Sequence, residues 1–125
     1  MGNRPALAKS ELEIAQVVWN LGKATVRAVV EAMPPDRDLD FKTVQTYLRR
    51  LEEKGYLTAT QEGRTNVYRA KVRPKTVVRE LVGDFMERVF QGDPVPFVQN
   101  IIQEQGMKPE DIERLRTLLD DLEDA

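Results

Sequence analysis

The chain has 125 residues, which suits one domain or a domain with a small second unit. It contains neither cysteine nor histidine, which excludes disulfides, thiolate or imidazole metal sites, and catalysis by a Cys or His nucleophile. Apolar residues make up 41% of the chain, yet no apolar run approaches the roughly 20 residues of a membrane span. We therefore expect a cytoplasmic protein that does not insert into membranes and needs no metal or cofactor.

Charge is distributed unevenly along the chain. Residues 1–72 contain 12 Lys and Arg against 9 Asp and Glu, a net charge of +3. Residues 73–125 contain 7 against 12, a net charge of −5. This asymmetry predicts two domains, 1–72 and 73–125, and indicates that a polyanionic partner would meet the first of them.

Two short helices are predicted near the start of the chain. Ser10 and Glu13 have the spacing of a capping box, and Gly22 suits the position after a helix end. Thr25 is the predicted N-cap of a second helix, which Pro34-Pro35 ends.

A third helix and a hairpin follow. Asp40 is the predicted N-cap of a helix over 40–54. Two β-prone runs then form a predicted hairpin over 57–70 with Gly63 near its tip. Three helices followed by a hairpin is the element order of a winged helix-turn-helix domain. Its predicted core consists of Leu12, Trp19, Val26, Val30, Val44, Leu48, Leu51, Leu57 and Tyr68.

The second part of the chain is predicted to be helical and to mediate dimerisation. A helix begins at Lys75, a short helix follows the break at Gly92-Asp93-Pro94, and a last helix begins at Pro109. Their apolar stripes are too wide for so short a segment to bury alone, and a second copy of the chain would cover them. The predicted dimerisation residues are Val78, Leu81, Phe85, Val89, Phe97, Ile101, Ile112, Leu115 and Leu119. The fold class is thus mainly α with a small β-hairpin.

The third helix has the most informative face. At about 100° per residue, Phe41 falls on the buried arc with Val44 and Leu48. The opposite face has side chains that bind base edges and phosphates in DNA complexes, namely Lys42, Gln45, Thr46, Arg49 and Arg50, with Thr43 at its border. Such a face is more often simply solvated, but its place in this element order favours contact with DNA. Arg64 at the hairpin tip is either a phosphate contact or a solvated turn residue.

Enzymatic function has no support in the sequence. It has no phosphate-binding glycine loop, no nucleophile elbow and no Ser-His-Asp set. The alternative to DNA binding is a winged-helix module that binds another protein. A salt titration separates the two, because DNA affinity falls steeply with salt concentration.

Residues Leu7–Trp19 and Phe41–Leu57 resemble the penicillinase and methicillin-resistance repressor family of BlaI/MecI type. The most specific part is the run Lys42-Thr43-Val44-Gln45-Thr46 with the Lys54-Gly55 that follows, and the likeness extends from about residue 7 to residue 122. The resemblance implies a homodimeric transcriptional repressor that binds a palindromic operator through the helix 40–54 and the wing 57–70.

The resemblance also implies roles for individual residues. Lys42, Thr43, Gln45 and Thr46 would approach the bases, and Arg49, Arg50 and Arg64 would lie nearer the DNA backbone. In characterised members, a membrane sensor with a metalloprotease domain triggers cleavage of an Asn-Phe bond in the dimerisation region. The matching bond here is Asn100-Ile101, with isoleucine in place of phenylalanine.

Overall fold

The computed structural model describes residues 4–124, which form helices and one small antiparallel sheet. The helices are α1 (Lys9–Leu21), α2 (Val26–Ala32), α3 (Phe41–Glu53), α4 (Pro74–Phe90), α5 (Pro94–Asn100) and α6 (Pro109–Asp124), and the strands are β1 (Lys23–Ala24), β2 (Leu57–Glu62) and β3 (Thr65–Ala70). A π-helical turn, Ile101–Gln105, continues α5. The predicted fold class is confirmed.

The described chain divides after Glu80 into two compact units. We call residues 4–80 the winged-helix unit and residues 81–124 the C-terminal unit. The start of α4 belongs to the winged-helix unit, where Val77 is buried. An ion pair between Arg4 and Glu80 also joins this part of α4 to the N-terminal segment. The functional boundary after residue 72 stays a prediction.

Side chains and glycines define the ends of the first three helices. The Thr25 hydroxyl accepts a hydrogen bond from the Ala28 N–H at 3.1 Å, and the Asp40 carboxylate accepts one from the Thr43 N–H at 2.8 Å. Both predicted N-caps are therefore confirmed. Gly22 and Gly55 follow α1 and α3 with φ values of 84° and 90°, in the left-handed region that glycine tolerates.

The capping box predicted at Ser10 and Glu13 is wrong. The N-cap of α1 is Ala8, two residues earlier, and Glu11 accepts a hydrogen bond from its N–H at 2.8 Å. Glu13 instead forms an ion pair with Arg37 at 2.9 Å. An alanine cannot cap with its side chain, so no capping residue in the sequence indicated this start.

The core lies in the winged-helix unit. Of the predicted core residues, six are buried, namely Val26, Val44, Leu48, Leu51, Leu57 and Tyr68. Leu12, Trp19 and Val30 are only half-buried, because the inner face of α1 consists of Glu11, Ile14, Ala15 and Val18. Phe41 is 48% exposed, so its assignment to the buried arc of α3 is wrong.

Glu11 is a charged residue within this core, only 2% exposed. Its Oε1 lies 2.6 Å from the Lys54 Nζ, which also donates to the Ala6 carbonyl oxygen at 2.9 Å. Burial alone would raise the pKa of Glu11, but the hydrogen bonds from Lys54 and Ala8 hold that pKa below its ordinary value of 4.5. The ion pair therefore ties the start of α1 to the end of α3.

The hairpin is part of a three-stranded sheet of order β1-β3-β2. Strands β2 and β3 pair antiparallel from Leu57–Ala70 to Glu62–Thr65, and Gly63 occupies the turn with φ 67°. The predicted hairpin is confirmed. The sequence did not predict β1, whose two residues pair with Tyr68 and Arg69, because a two-residue strand has no periodicity to detect.

The C-terminal unit consists of the rest of α4 together with α5, the π-helical turn and α6. No side chain of residues 81–124 is fully buried. Its most compact part is an aromatic cluster of Phe85, Phe90 and Phe97, whose ring centroids lie 5.6 to 6.2 Å apart. Within residues 4–124, every helix is too short or too polar to cross a membrane.

Candidate nucleic-acid interface

Helix α3 separates an apolar face from a polar one. Val44, Leu48 and Leu51 are buried against the rest of the winged-helix unit. On the other face, Lys42, Thr46, Arg49 and Arg50 are exposed, and Thr43 and Gln45 are half-buried. The predicted contact residues of α3 therefore form one accessible surface, which we call the α3 face.

Hydrogen bonds within α3 fix part of this face. The Thr46 hydroxyl donates to the Lys42 carbonyl oxygen at 3.0 Å, which leaves the methyl group and an oxygen lone pair available to a ligand. At the start of the helix, the hydrogen bond from the Thr43 N–H lowers the pKa of Asp40, so this carboxylate is ionised at neutral pH. The backbone N–H of Thr43 is therefore engaged in the helix cap.

The two arginines of α3 have different surroundings. The Arg50 guanidinium lies over the Tyr47 ring, 5.5 Å from its centroid. Arg49 lies near enough to the Tyr68 hydroxyl to act on its ionisation, as does Glu52. Burial, with the charge of Glu52, raises the pKa of Tyr68 in spite of Arg49, so the phenol stays neutral.

The wing presents Arg64 next to the turn glycine. Arg64 is exposed, and within residues 4–124 no acidic side chain forms an ion pair with it. Lower in the hairpin, the Arg69 guanidinium donates to Thr60 and also to Glu62 at 2.7 Å. This cross-strand link leaves Arg64 as the cation at the tip.

A groove of about 480 Å³ lies between the start of α2, the start of α3 and the wing. We call it the α2–wing groove. It is lined by Thr25, Val26, Arg27, Phe41, Gln45, Arg64, Thr65, Asn66 and Tyr68. Of the predicted contact residues, it brings together Gln45 and Arg64, whereas Lys42, Thr43, Thr46, Arg49 and Arg50 do not line it.

Sequence reasoning missed Arg27 and misplaced Phe41. The available signal for Arg27 was its position two residues after the N-cap Thr25, in the helix that precedes the predicted recognition helix. None of the nine lining residues is acidic. The groove and the α3 face together are therefore suited to a negatively charged partner.

The predicted dimerisation residues all lie on helices or on the π-helical turn. Val78, Phe85, Val89 and Leu119 are exposed, and Leu81, Phe97, Ile101, Ile112 and Leu115 are half-buried. Six further large apolar side chains from Leu81 onward are also exposed, namely Val82, Val95, Val98, Ile102, Leu118 and Leu122. The bond Asn100-Ile101 joins the end of α5 to the π-helical turn.

A helix-turn-helix followed by a wing, with a cationic groove between them, defines the class of winged-helix DNA-binding transcriptional regulators. The family model described as the penicillinase repressor matches residues 7–121. The chain belongs to this family, whose members are transcriptional repressors and not enzymes.

The relatives of this chain are similar in length as well as in sequence. It is 26% identical over 117 residues to the penicillinase repressor of Bacillus licheniformis, covering 94% of this chain and 91% of that protein. It is 23% identical over 113 residues to the methicillin resistance regulatory protein MecI of Mammaliicoccus sciuri, covering 90% of this chain and 92% of that protein.

A solved structure of a relative includes DNA. The solution structure of the Bacillus licheniformis BlaI monomeric form in complex with the blaP half-operator matches with a TM-score of 0.51 and 31% identity. That match covers 60% of this chain and 92% of the BlaI chain. The resemblance noted in the sequence is thereby confirmed, and the winged-helix fold with it.

Proposed function

We propose that this repressor acts as a homodimer on a palindromic operator, with one α3 face in the major groove of each half-site. The observation that carries the proposal is the α3 face itself, where four polar side chains are exposed on a helix anchored by buried Val44, Leu48 and Leu51. Lys42, Thr43, Gln45 and Thr46 are proposed to contact bases. The complex of the BlaI monomeric form with a half-operator supports this arrangement.

The remaining predicted residues are proposed to contact the DNA backbone. Arg49 and Arg64 are exposed cations on the α3 face and at the wing tip. Arg50, stacked on Tyr47, would contact a phosphate from the edge of that face.

Dimerisation is proposed for the C-terminal unit. Its helices expose large apolar side chains such as Phe85, Val89 and Leu119 without a fully buried side chain of their own in residues 81–124. A second copy of the same unit would cover these surfaces. Two linked binding domains then engage two half-sites, and the second contact gains affinity through effective concentration.

Release of the operator is proposed to follow cleavage of Asn100-Ile101. Asn100 is exposed at the end of α5, and the residues after the bond form a π-helical turn, which is a less stable backbone arrangement than an α-helix. Cleavage there would separate parts of the dimerising unit and remove the gain from linked binding. The protease is proposed to depend on a sensor, as the family resemblance implies. A repressor works on chromosomal DNA, so the proposed location is the cytoplasm.

Selection of binding sites from randomised duplex DNA with the full-length protein tests the operator. We expect enrichment of a two-fold symmetric site whose half-sites lie about one helical turn apart. Failure to recover any motif with a folded dimer at low salt would favour the protein-interaction alternative.

Two substitutions on the α3 face test the recognition helix. Lys42→Ala and Thr46→Ala are each expected to weaken binding to the selected site by about five- to a hundredfold, because a base contact contributes about 1–3 kcal/mol of discrimination. The dimer should persist in both variants. Lys71→Ala removes an exposed lysine that follows β3 and serves as the matched control. Unchanged affinity in both α3 variants would refute the recognition-helix assignment.

A further inference from the structure

We propose that the α2–wing groove holds one sugar–phosphate strand of the operator, with Arg27 contacting a phosphate and Phe41 packing against a deoxyribose. The inference rests on the proposed DNA-binding function and extends the contact surface to α2. Neither residue belongs to the contact set that the sequence predicted.

The charge of the groove favours a phosphate. Arg27 from α2 and Arg64 from the wing line the same groove, and both are exposed. Within residues 4–124, neither guanidinium has a carboxylate partner at ion-pair distance. Two cations at one groove repel each other, and an anion bound there would relieve the repulsion and accept hydrogen bonds from their planar donor sets.

The apolar lining favours a sugar next to that phosphate. Phe41 is 48% exposed although it is the first residue of a helix whose inner face is well packed. Val26 and Tyr68 are buried and give the groove an apolar inner wall. An exposed aromatic ring in the same groove as two arginines complements a DNA strand, in which apolar sugar rings alternate with charged phosphates.

Other occupants would use only part of this lining. A small inorganic anion would leave Phe41 exposed, and a guanine or adenine edge bound by an arginine or Gln45 would also leave Phe41 without an apolar partner. A sugar–phosphate strand uses both the cationic and the apolar residues. The groove also adjoins the α3 face through Gln45, so a strand lying in it would be continuous with the duplex that α3 contacts.

Salt-dependent binding of the full-length protein tests the Arg27 assignment. Fluorescence anisotropy would compare the selected duplex with an unrelated duplex of equal length. Arg27→Ala is expected to weaken both complexes by about fivefold, the upper end for an exposed ion pair. It should also make the slope of log affinity against log salt less steep by about 0.9, the value for one lost phosphate contact. Arg27→Lys should restore most of the slope.

The sugar contact of Phe41 is tested by a loss of affinity that leaves the salt dependence unchanged. Phe41→Ala is expected to weaken both complexes by about fivefold with an unchanged salt slope, because an apolar contact with a sugar releases no counterion. Phe41→Leu, which keeps an apolar side chain, should recover part of the loss. Thermal melting of each variant without DNA verifies that the comparison is made on folded protein.

Arg73→Ala is the matched control, because Arg73 is an exposed arginine that follows β3 and does not line the α2–wing groove. If Arg27→Ala behaves as this control does, the Arg27 contact is refuted while the proposed function stands. A loss confined to the selected duplex would also overturn it, because that outcome means a base contact. A changed slope in Phe41→Ala refutes the sugar contact. If the unaltered protein binds no duplex, the proposed function itself fails.

Discussion

Replacing Lys54 with methionine is expected to lower the free energy of unfolding by about 3 kcal/mol at pH 7, a typical cost of breaking a buried ion pair. The substitution removes the ammonium 2.6 Å from the Glu11 carboxylate, which is itself 2% exposed. Only the Ala8 N–H would still donate to that carboxylate. Methionine keeps a long apolar side chain, so the loss reports mainly on the charge.

The reciprocal substitution, Glu11→Gln, is expected to cost less, about 1.5 kcal/mol. The amide oxygen of glutamine can still accept the hydrogen bond from the Ala8 N–H. The Lys54 side chain is 26% exposed, so its ammonium can recover hydration when the carboxylate is gone. The two partners of one ion pair should therefore differ in cost because they differ in burial.

Acidic pH should reduce the difference in the free energy of unfolding between the unaltered protein and Lys54→Met. The folded-state pKa of Glu11 lies below 4.5, so its stabilising contribution is complete above that pH. The contribution is lost as the pH falls through the folded-state pKa. In Lys54→Met, burial without the ammonium raises the pKa of Glu11, so that variant recovers stability as the pH falls from this raised pKa towards 4.5, above the range in which the unaltered protein loses the contribution.

Urea unfolding at fixed protein concentration, repeated between pH 7 and pH 4, measures both effects. Glu13→Gln is the matched control, because Glu13 lies on the same helix as Glu11 and pairs with Arg37 between α2 and α3, and the Glu13 and Arg37 side chains are 30% and 36% exposed. That variant is expected to lose less than about 0.5 kcal/mol. A Lys54→Met loss as small as the control's, or one independent of pH, would contradict the buried ion pair.

Leu119→Glu is expected to dissociate the proposed dimer and to lower affinity for the proposed full operator by about a hundredfold, within the range that linked binding contributes. Leu119 is 60% exposed on α6, so a glutamate there is tolerated by the single chain but would be buried without a partner in the dimer. Affinity for an isolated half-site should remain unchanged. Sedimentation equilibrium and anisotropy with full and half operators measure these quantities.

Thr117→Glu serves as the control for added charge on α6. Thr117 is exposed and lies two residues before Leu119, which directs it about 200° around the helix. This variant should remain dimeric and bind the full operator normally. If Leu119→Glu also stays dimeric, the apolar stripe of α6 is not the interface. If it becomes monomeric without losing operator affinity, the linked-binding explanation is refuted.

Local patterns were sufficient to predict the elements that surround the interface. Thr25 and Asp40 are predictable as N-caps because a short polar side chain before an apolar-periodic run can accept a hydrogen bond from a free backbone N–H at the helix start. The burial of Val44, Leu48 and Leu51 followed from their helical spacing. The start of α1 could not be predicted in this way, because its N-cap is an alanine and its capping partner Glu11 faces inward.

The sequence by itself determined the order of three helices and a hairpin, the polar face of α3 and the apolar stripes after residue 74, since each depends on spacing within one segment. Only the tertiary structure decided that Glu11 is buried, because its partner Lys54 is 43 residues away. The tertiary structure likewise decided that Arg27, Phe41 and Arg64 line one groove. Such proximity arises when separate elements pack together, and no periodicity along the chain encodes it.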